Sequence, residues 1–244
     1  MKLKRAKKQK KILRFVIVLA VLAFLAFAIL MSPLFEINRI DIEGNRTISD
    51  VEILRASGLA VGQNLLAFSA STAEGWIEAL PYVLSASVTR NFPDGLTITV
   101  TERTAVANVR LGNTSTHLLI DETGMVLETA PRPMEGQLTA IGIDFTHFAI
   151  GEYLVVDNPV VFDNILQMSR LFRRYDFFPD IVDISDPLDI VLHKGDTGIY
   201  FGDISDADRK IQYLQAISQQ FPLGVRGYIE IRDINERPRF GLIR

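Results

Sequence analysis

Three histidines, scattered serines and a run of aspartates are the side chains of this 244-residue chain that could do chemistry, and none stands in a frame that chemistry requires. His117, His147 and His193 are separated by about thirty to fifty residues, so none shares a helix face with another as a His-x-x-x-His zinc pair does. Ser32, Ser57 and Ser69 lack the Gly-x-Ser-x-Gly elbow that exposes a nucleophile. Asp186, Asp189, Asp196, Asp203, Asp206 and Asp208 could suggest calcium, but no EF-hand loop fits and solvated turns account for them. With no cysteine the chain has no thiol nucleophile, thiolate metal site or disulfide. The expectation is a binding protein: no enzyme, no cofactor, no metal.

The strongest signal is instead topological. Lys2, Lys4, Arg5, Lys7, Lys8, Lys10, Lys11 and Arg14 precede an apolar run, Phe15 to Met31, that carries no charge. A helix of about 17 to 25 apolar residues crosses the hydrocarbon layer, and continuation to Leu34 predicts a transmembrane helix over 15–34. Positive charge flanking a span stays in the cytoplasm, which leaves residues 1–14 inside and everything after the span outside. Ala26-Phe27-Ala28 also satisfies the pattern of a cleaved signal peptide, but the apolar run continues past it through Ile29-Leu30-Met31 with no polar segment, and a signal anchor fits better. Eight of the 26 Lys and Arg lie in the leader, so 18 face 29 Asp and Glu beyond it, a net of about −11. An acidic body argues against nucleic acid, whose phosphates call for a basic surface.

Two domains come after the span. Phe35 to Ile42 alternates apolar with polar, as a half-buried strand does, and Gly44-Asn45 turns the chain. Ser49 with Glu52 forms a capping box that opens a helix closed by Gly58. Ser71 or Thr72 is positioned to cap a second helix with Trp76, Ile77 and Leu80 on one face, ended by Pro81. Val83 to Phe92, Pro93-Asp94-Gly95 and Leu96 to Glu102 read as an antiparallel hairpin, giving the order βααββ. Trp76, Leu80, Val83, Val88 and Leu96 read as core. Beyond it, strands are predicted over Thr104–Arg110, His117–Ile120 and Met125–Leu127 as a meander, and around Ile141 to Ile143. Further strands are predicted near Ile181–Ile184, Leu188–Leu192 and Gly198–Phe201, then Gly227–Arg232 and Arg239–Arg244. Helices are predicted from Asn158-Pro159, with Ile165, Met168 and Phe172 at helical spacing, and over Ser205–Gln219.

Two runs of residues carry a family resemblance. The first is Phe35-x-Ile37-x-x-Ile40-x-Ile42-x-Gly44-Asn45. The second is Trp76-Ile77-x-x-Leu80-Pro81-Tyr82-Val83-x-x-Ala86-Ser87-Val88-x-Arg90-x-x-Pro93-x-x-Leu96-x-Ile98-x-Val100-x-Glu102-Arg103. Together they resemble the FtsQ/DivIB bacterial cell-division proteins. Leu119-Ile120-Asp121-x-x-Gly124-x-Val126-Leu127, Gly202, Arg209-Lys210-Ile211 and Tyr228-Ile229-Glu230-Ile231-Arg232 extend the likeness, with Thr104-Ala105 where the family has a proline and Glu230 where it has aspartate.

The resemblance implies an α+β chain: a basic tail over 1–14, a transmembrane helix over 15–34, a POTRA domain (βααββ) over 35–103, and a mixed, mostly antiparallel β domain with two helices over 104–244. It also implies a scaffold of the divisome whose C-terminal strands hold the membrane-anchored coiled-coil pair FtsB/DivIC and FtsL for septum assembly, with other divisome components as further partners and the bilayer contacted through 15–34. Tyr228, Ile229, Glu230, Ile231, Arg232, Arg237, Arg239 and Phe240 are the residues this places at the partner site. Alternatives are a POTRA scaffold in envelope biogenesis or export outside division, and barrel assembly, which the length left after residue 110 does not accommodate.

Overall fold

The structure, a computed structural model, describes the backbone of residues 2–218, 223–234 and 239–242, and the side chains of 14–218, 223–234 and 239–241. Helix α1 spans Lys2–Leu30. It ends four residues before the predicted limit at Leu34, because Pro33 has no N–H to continue the ladder and holds Ser32 extended at ψ 158°. A 3-10 turn, Pro33–Phe35, leads out. Among the described residues no helix is long and apolar enough to cross a membrane. The side chains of Lys2, Lys4, Arg5, Lys7, Lys8, Lys10 and Lys11 lie outside the described residues; Arg14 is exposed.

The chain divides into two compact units, Met1–Glu102 and Arg103–Arg244. The first contains β1 (Arg39–Glu43), α2 (Asp50–Ser57), α3 (Ala70–Glu78), β2 (Val83–Asn91) and β3 (Gly95–Glu102). Strand β3 is central, parallel to β1 and antiparallel to β2, in the order β1-β3-β2. Its Leu96, Ile98 and Val100 enter a core with Ile37, Ile53, Leu65 and Ile77, each fully buried aliphatic group contributing roughly 1.5–3 kcal/mol. The ends of α2 are as predicted: the Ser49 hydroxyl accepts from the Glu52 N–H, and Gly58 takes the left-handed conformation at φ 67°. The cap of α3 is Ser69, not Ser71 or Thr72, its hydroxyl accepting from the Thr72 N–H. Phe35 to Asn38 does not join β1; it zips against the 62–65 loop, with N–H of Ile37 on Gln63 O and N–H of Leu65 on Phe35 O. Trp76 is 56% exposed, contrary to its core assignment, since Ile77 takes the inward position on α3. Its ring lies over Gly58 and lines a groove of about 420 Å³ with Leu59 and Phe68. At Gly44, φ 91°, a Cβ would come within 2.1 Å of Val100 O, so the turn after β1 admits no side chain.

The second unit is built on an eight-stranded sheet. Strands β4 (Ala105–Arg110), β5 (His117–Asp121) and β6 (Val126–Ala130) form the predicted meander. Then come β7 (Leu138–Ile141), a small ribbon of β8 (Phe145–His147) and β9 (Val155–Val156) that the sequence did not predict, and α4 (Pro159–Arg174). Next are β10 (Ile181–Asp183), β11 (Ile190–Gly202), α5 (Ala207–Ser218), β12 (Gly224–Glu230) and β13 (Arg239–Leu242). The order is β13-β12-β11-β10-β7-β4-β5-β6. Two predicted strands, Leu188–Leu192 and Gly198–Phe201, are one strand, β11. The pairs β4–β7, β7–β10 and β11–β12 are parallel; α4 and α5 are the crossovers that the last two require. Ile165, Met168 and Phe172 of α4 and Ile211 and Leu214 of α5 bury their apolar stripes in the core with the strands.

Candidate partner-binding surfaces

In a chain without a catalytic frame, the groups available for recognition are strand edges and exposed aromatic and charged side chains. Among the described residues no three His, Cys, Asp or Glu gather to hold a metal. The acidic run is engaged within the chain: Asp186 accepts from the Leu188 N–H, Asp203 from the Ser205 N–H, and Asp208 from Arg174.

The edge of the first unit at β2 is occupied by its own helix. Glu74 and Glu78, one turn apart on α3, accept the N–H groups of Val88 at 2.8 Å and Ala86 at 3.0 Å. Those two amides face away from β3 and would otherwise be the donors that an added strand uses. A third glutamate fixes the neighbouring loop: Glu102 accepts from the backbone N–H groups of Arg46, Thr47 and Ile48 at 2.8 to 3.0 Å. Burial pushes the Glu102 carboxyl up, but these donors outweigh it and hold it below its usual value.

At the other end of the chain the eight-stranded sheet terminates in β13, paired antiparallel to β12. Alternation along β12 separates the predicted partner residues. Ile229 and Ile231 point inward and are buried, while Tyr228, Glu230 and Arg232 point out. Arg239 pairs with Glu230, placing it on the face of Tyr228; Phe240 pairs with Ile229 and so stands on the opposite face, 62% exposed at the rim. The eight residues therefore form one outward group (Tyr228, Glu230, Arg232, Arg239), a buried pair and a rim aromatic; Arg237 lies outside the described residues.

Tyr200, which the sequence did not single out, and Asp189, which it placed among solvated turn residues, complete the outward group. The rings of Tyr200 and Tyr228 meet edge to face at 6.4 Å, and the Arg232 guanidinium lies 4.6 Å over Tyr200. Arg232 binds Asp189 through two hydrogen bonds, 2.7 and 2.9 Å, and Glu230 at 3.0 Å. The bond to Arg232 holds the Asp189 carboxyl below its usual value, and Asp189 raises that of Arg232. Arg232 is thus engaged within the chain. Alternation carried a signal for Tyr200, since Ile199 and Phe201 on either side are fully buried; nothing local pointed to Asp189, 43 residues from Arg232.

Deeper in this unit, Asp121 is bound by Arg103 at 2.7 Å and by the Thr123 hydroxyl, with the N–H groups of Thr123 and Met125 also donating. Burial pushes its carboxyl up, and these donors bring it below its usual value.

A parallel strand between an edge strand and a hairpin partner, under two helices, defines the first unit as a POTRA-type fold, and residues 35–103 match the family model described as POTRA domain, FtsQ-type. The cell division protein FtsQ of Myxococcus fulvus is 36% identical over 95 residues, 39% of this chain and 32% of that protein. The cell division protein DivIB of Clostridium tetani is 23% identical over 205 residues, 82% of this chain and 77% of that protein. DivIB of Listeria monocytogenes is 24% identical over 238 residues, 92% of this chain and 81% of that protein. The FtsQ match thus spans about a third of its relative, and the DivIB matches span most of theirs. Residues 35–103 thus belong to the FtsQ-type POTRA family, and over most of its length the chain is similar to the FtsQ/DivIB cell-division proteins.

Proposed function

We propose that this protein is a single-pass scaffold of the division machinery. Residues 15–34 anchor it in the plasma membrane with the basic tail of 1–14 inside, the POTRA domain of 35–103 and the β domain of 104–244 stand outside, and the end of the β domain holds a pair of FtsB/DivIC-like and FtsL-like coiled-coil proteins at the septum. The observation that carries this reading is a likeness to DivIB that runs over 92% of the chain, through the β domain as well as the POTRA domain.

Two features of the geometry support the anchor and the docking end. From Phe15 to Leu30, α1 is exposed on every face and carries no charge, with Phe15, Phe24 and Phe27 each more than 60% exposed; a helix apolar all round belongs in lipid. The β domain's sheet ends in a short strand, β13, beside a face bearing Tyr200 and Tyr228. A strand from a partner gains main-chain hydrogen bonds at such an edge, and aromatic anchors supply much of the energy of protein interfaces. Tethering all components to one membrane raises the effective concentration of each contact, so modest interfaces suffice.

Depletion of the protein in its host tests the division role: filaments without septa are expected, and normal septation overturns it. Co-purification of the coiled-coil pair with the full chain, and its loss in Tyr228→Ala, tests the site.

A further inference from the structure

The apolar part of α1, Phe15–Leu30, is sixteen residues long, about 24 Å at 1.5 Å per residue. A bilayer's hydrocarbon layer is about 30 Å thick. With Arg14 at the inner boundary, the helix stops about 6 Å short of the outer one. The chain beyond Leu30 is tied down rather than slack. The Ser32 N–H donates to Ile29 O, Phe35 N–H to Ser32 O, and the Asn64 side chain donates to Leu30 O at 2.8 Å, at the end of α1.

The segment leaving the helix then binds two loops. The 62–65 loop is zipped to it by the N–H of Gly62 on Ile37 O and the N–H of Leu65 on Phe35 O. The β2–β3 turn is held by the Asn38 N–H on Asp94 O and by the Phe35 and Phe92 rings, edge to face at 6.3 Å. Each loop presents a large apolar side chain to solvent beside this segment: Val61 is 64% and Phe92 62% exposed, with Leu34 itself at 63%.

We propose that this end of the POTRA domain is seated in the bilayer, where Leu34, Val61 and Phe92 enter the boundary between headgroups and acyl chains of the outer leaflet and complete the hydrophobic length that α1 lacks. The inference rests on the anchor reading above. It assigns the POTRA domain a fixed pose on the membrane, because the hydrogen bonds to Leu30, Phe35 and Ile37 leave no slack between helix and domain. The occupant is the lipid interface as such, without a charge requirement. Residues 31–103 contain no lysine, the arginine beside this end, Arg39 opposite Gly95, is paired with Asp41 at 2.9 Å, and Glu36 and Asp94 flank the apolar group, so insertion is apolar and independent of anionic lipid.

The absence of native cysteine allows clean single-site labelling of the full chain. Leu22→Cys, Val61→Cys, Phe92→Cys and Leu188→Cys, each spin-labelled in liposomes of zwitterionic lipid, would be compared for collision with oxygen, which partitions into lipid, and with a water-soluble nickel chelate. All four sites are exposed on the protein; Phe92→Cys removes the ring contact with Phe35, and the Asn38 N–H on Asp94 O keeps the turn on the segment. The expected result is Leu22 deep in the hydrocarbon, Leu188 fully aqueous, and Val61 and Phe92 at the boundary, with nickel accessibility several-fold below that at Leu188 and unchanged on adding anionic lipid or salt. Leu22 in lipid with Val61 and Phe92 as aqueous as Leu188 would overturn the inference and leave the anchor standing. An aqueous Leu22 would overturn the anchor and the inference with it. Labels at 61 and 92 shielded from both reagents would mean that a protein surface, not lipid, covers this end, and would also overturn it.

Discussion

The two units of this protein use carboxylates differently. In the first, Glu74, Glu78 and Glu102 are directed at backbone N–H groups, sealing the outward amides of β2 and the loop of residues 46–48. In the second, Asp121, Asp189 and Asp208 pair with arginines, Arg103, Arg232 and Arg174, and the backbone N–H groups that donate to Asp121, Asp180, Asp183, Asp186 and Asp203 belong to turns or to β11 inside the sheet, not to its end strand. A carboxylate on a strand amide removes a donor that a partner strand would need. A carboxylate on an arginine outside the ladder leaves the main chain of the sheet untouched. The first unit is therefore closed to strand addition along β2, while in the second, ion pairs brace the side chains around the end of the sheet where docking is proposed.

That contrast can be broken most severely at Asp121. Its pair with Arg103 is almost wholly buried, with side chains 4% and 13% exposed, so Asp121→Ala breaks a buried ion pair and takes the acceptor from the N–H groups of Thr123 and Met125, at a cost of about 3–5 kcal/mol. Urea unfolding should show the second unit's transition displaced and the first unit's unmoved; a shift in both would mean that the units do not respond separately.

Ile231→Pro comes next. The Ile231 N–H donates to Tyr200 O at 3.0 Å, and its loss together with a proline clash costs about 3 kcal/mol. The coiled-coil pair should be lost in pull-downs while the amide spectrum of the POTRA domain persists. Tyr228→Ala sharpens the same point without touching the ladder. As an outward aromatic at the sheet's end it should cost about 2 kcal/mol of partner affinity, roughly thirtyfold in Kd, with unchanged unfolding. Full affinity in this variant would move the site away from β12.

Removing the seal on β2 tests the other side. Glu74→Ala with Glu78→Ala uncovers the amides of Ala86 and Val88 at a cost of about 1–3 kcal/mol, and sedimentation should reveal more self-association than in the parent. A monodisperse double variant would show that the two carboxylates do not guard this edge.

The smallest effect is a pH dependence. The Glu102 carboxyl is held below its ordinary 4.5 in the fold. Its contribution is fully present above that unfolded value and is lost as pH falls through the depressed folded one. The amide resonances of Arg46, Thr47 and Ile48 should titrate together below pH 4.5 and not in Glu102→Gln. A shared midpoint at or above 4.5 would contradict the hydrogen bonding described.

Much of this was legible in the chain because it is local. The capping of α2 by Ser49 and Gly58, the start of α4 at Asn158-Pro159, the 93–95 turn and the alternation in β3 each depend on residues a few positions apart. The α3 cap at Ser69 is not legible there, because Ser71 and Thr72 are equally good capping residues and only the backbone decides among them. Trp76 reads as core by its type, yet its neighbour Ile77 holds the inward position. Along β12, alternation distinguishes Ile229 and Ile231 from Tyr228, but not which set faces the core.

By itself, then, the sequence determined the apolar run behind its basic leader, the βααββ order and the absence of any catalytic frame, since each follows from residue types and short spacings. Only the tertiary structure decided that β11 pairs in parallel with β12, that Asp189 reaches Arg232, that Glu74 and Glu78 close the β2 edge, and that the loops carrying Val61 and Phe92 bind the segment leaving α1. Most of those contacts join residues tens of positions apart, and the short ones depend on where helix and strand pack. Such partners are chosen by how the core closes, which no local pattern records.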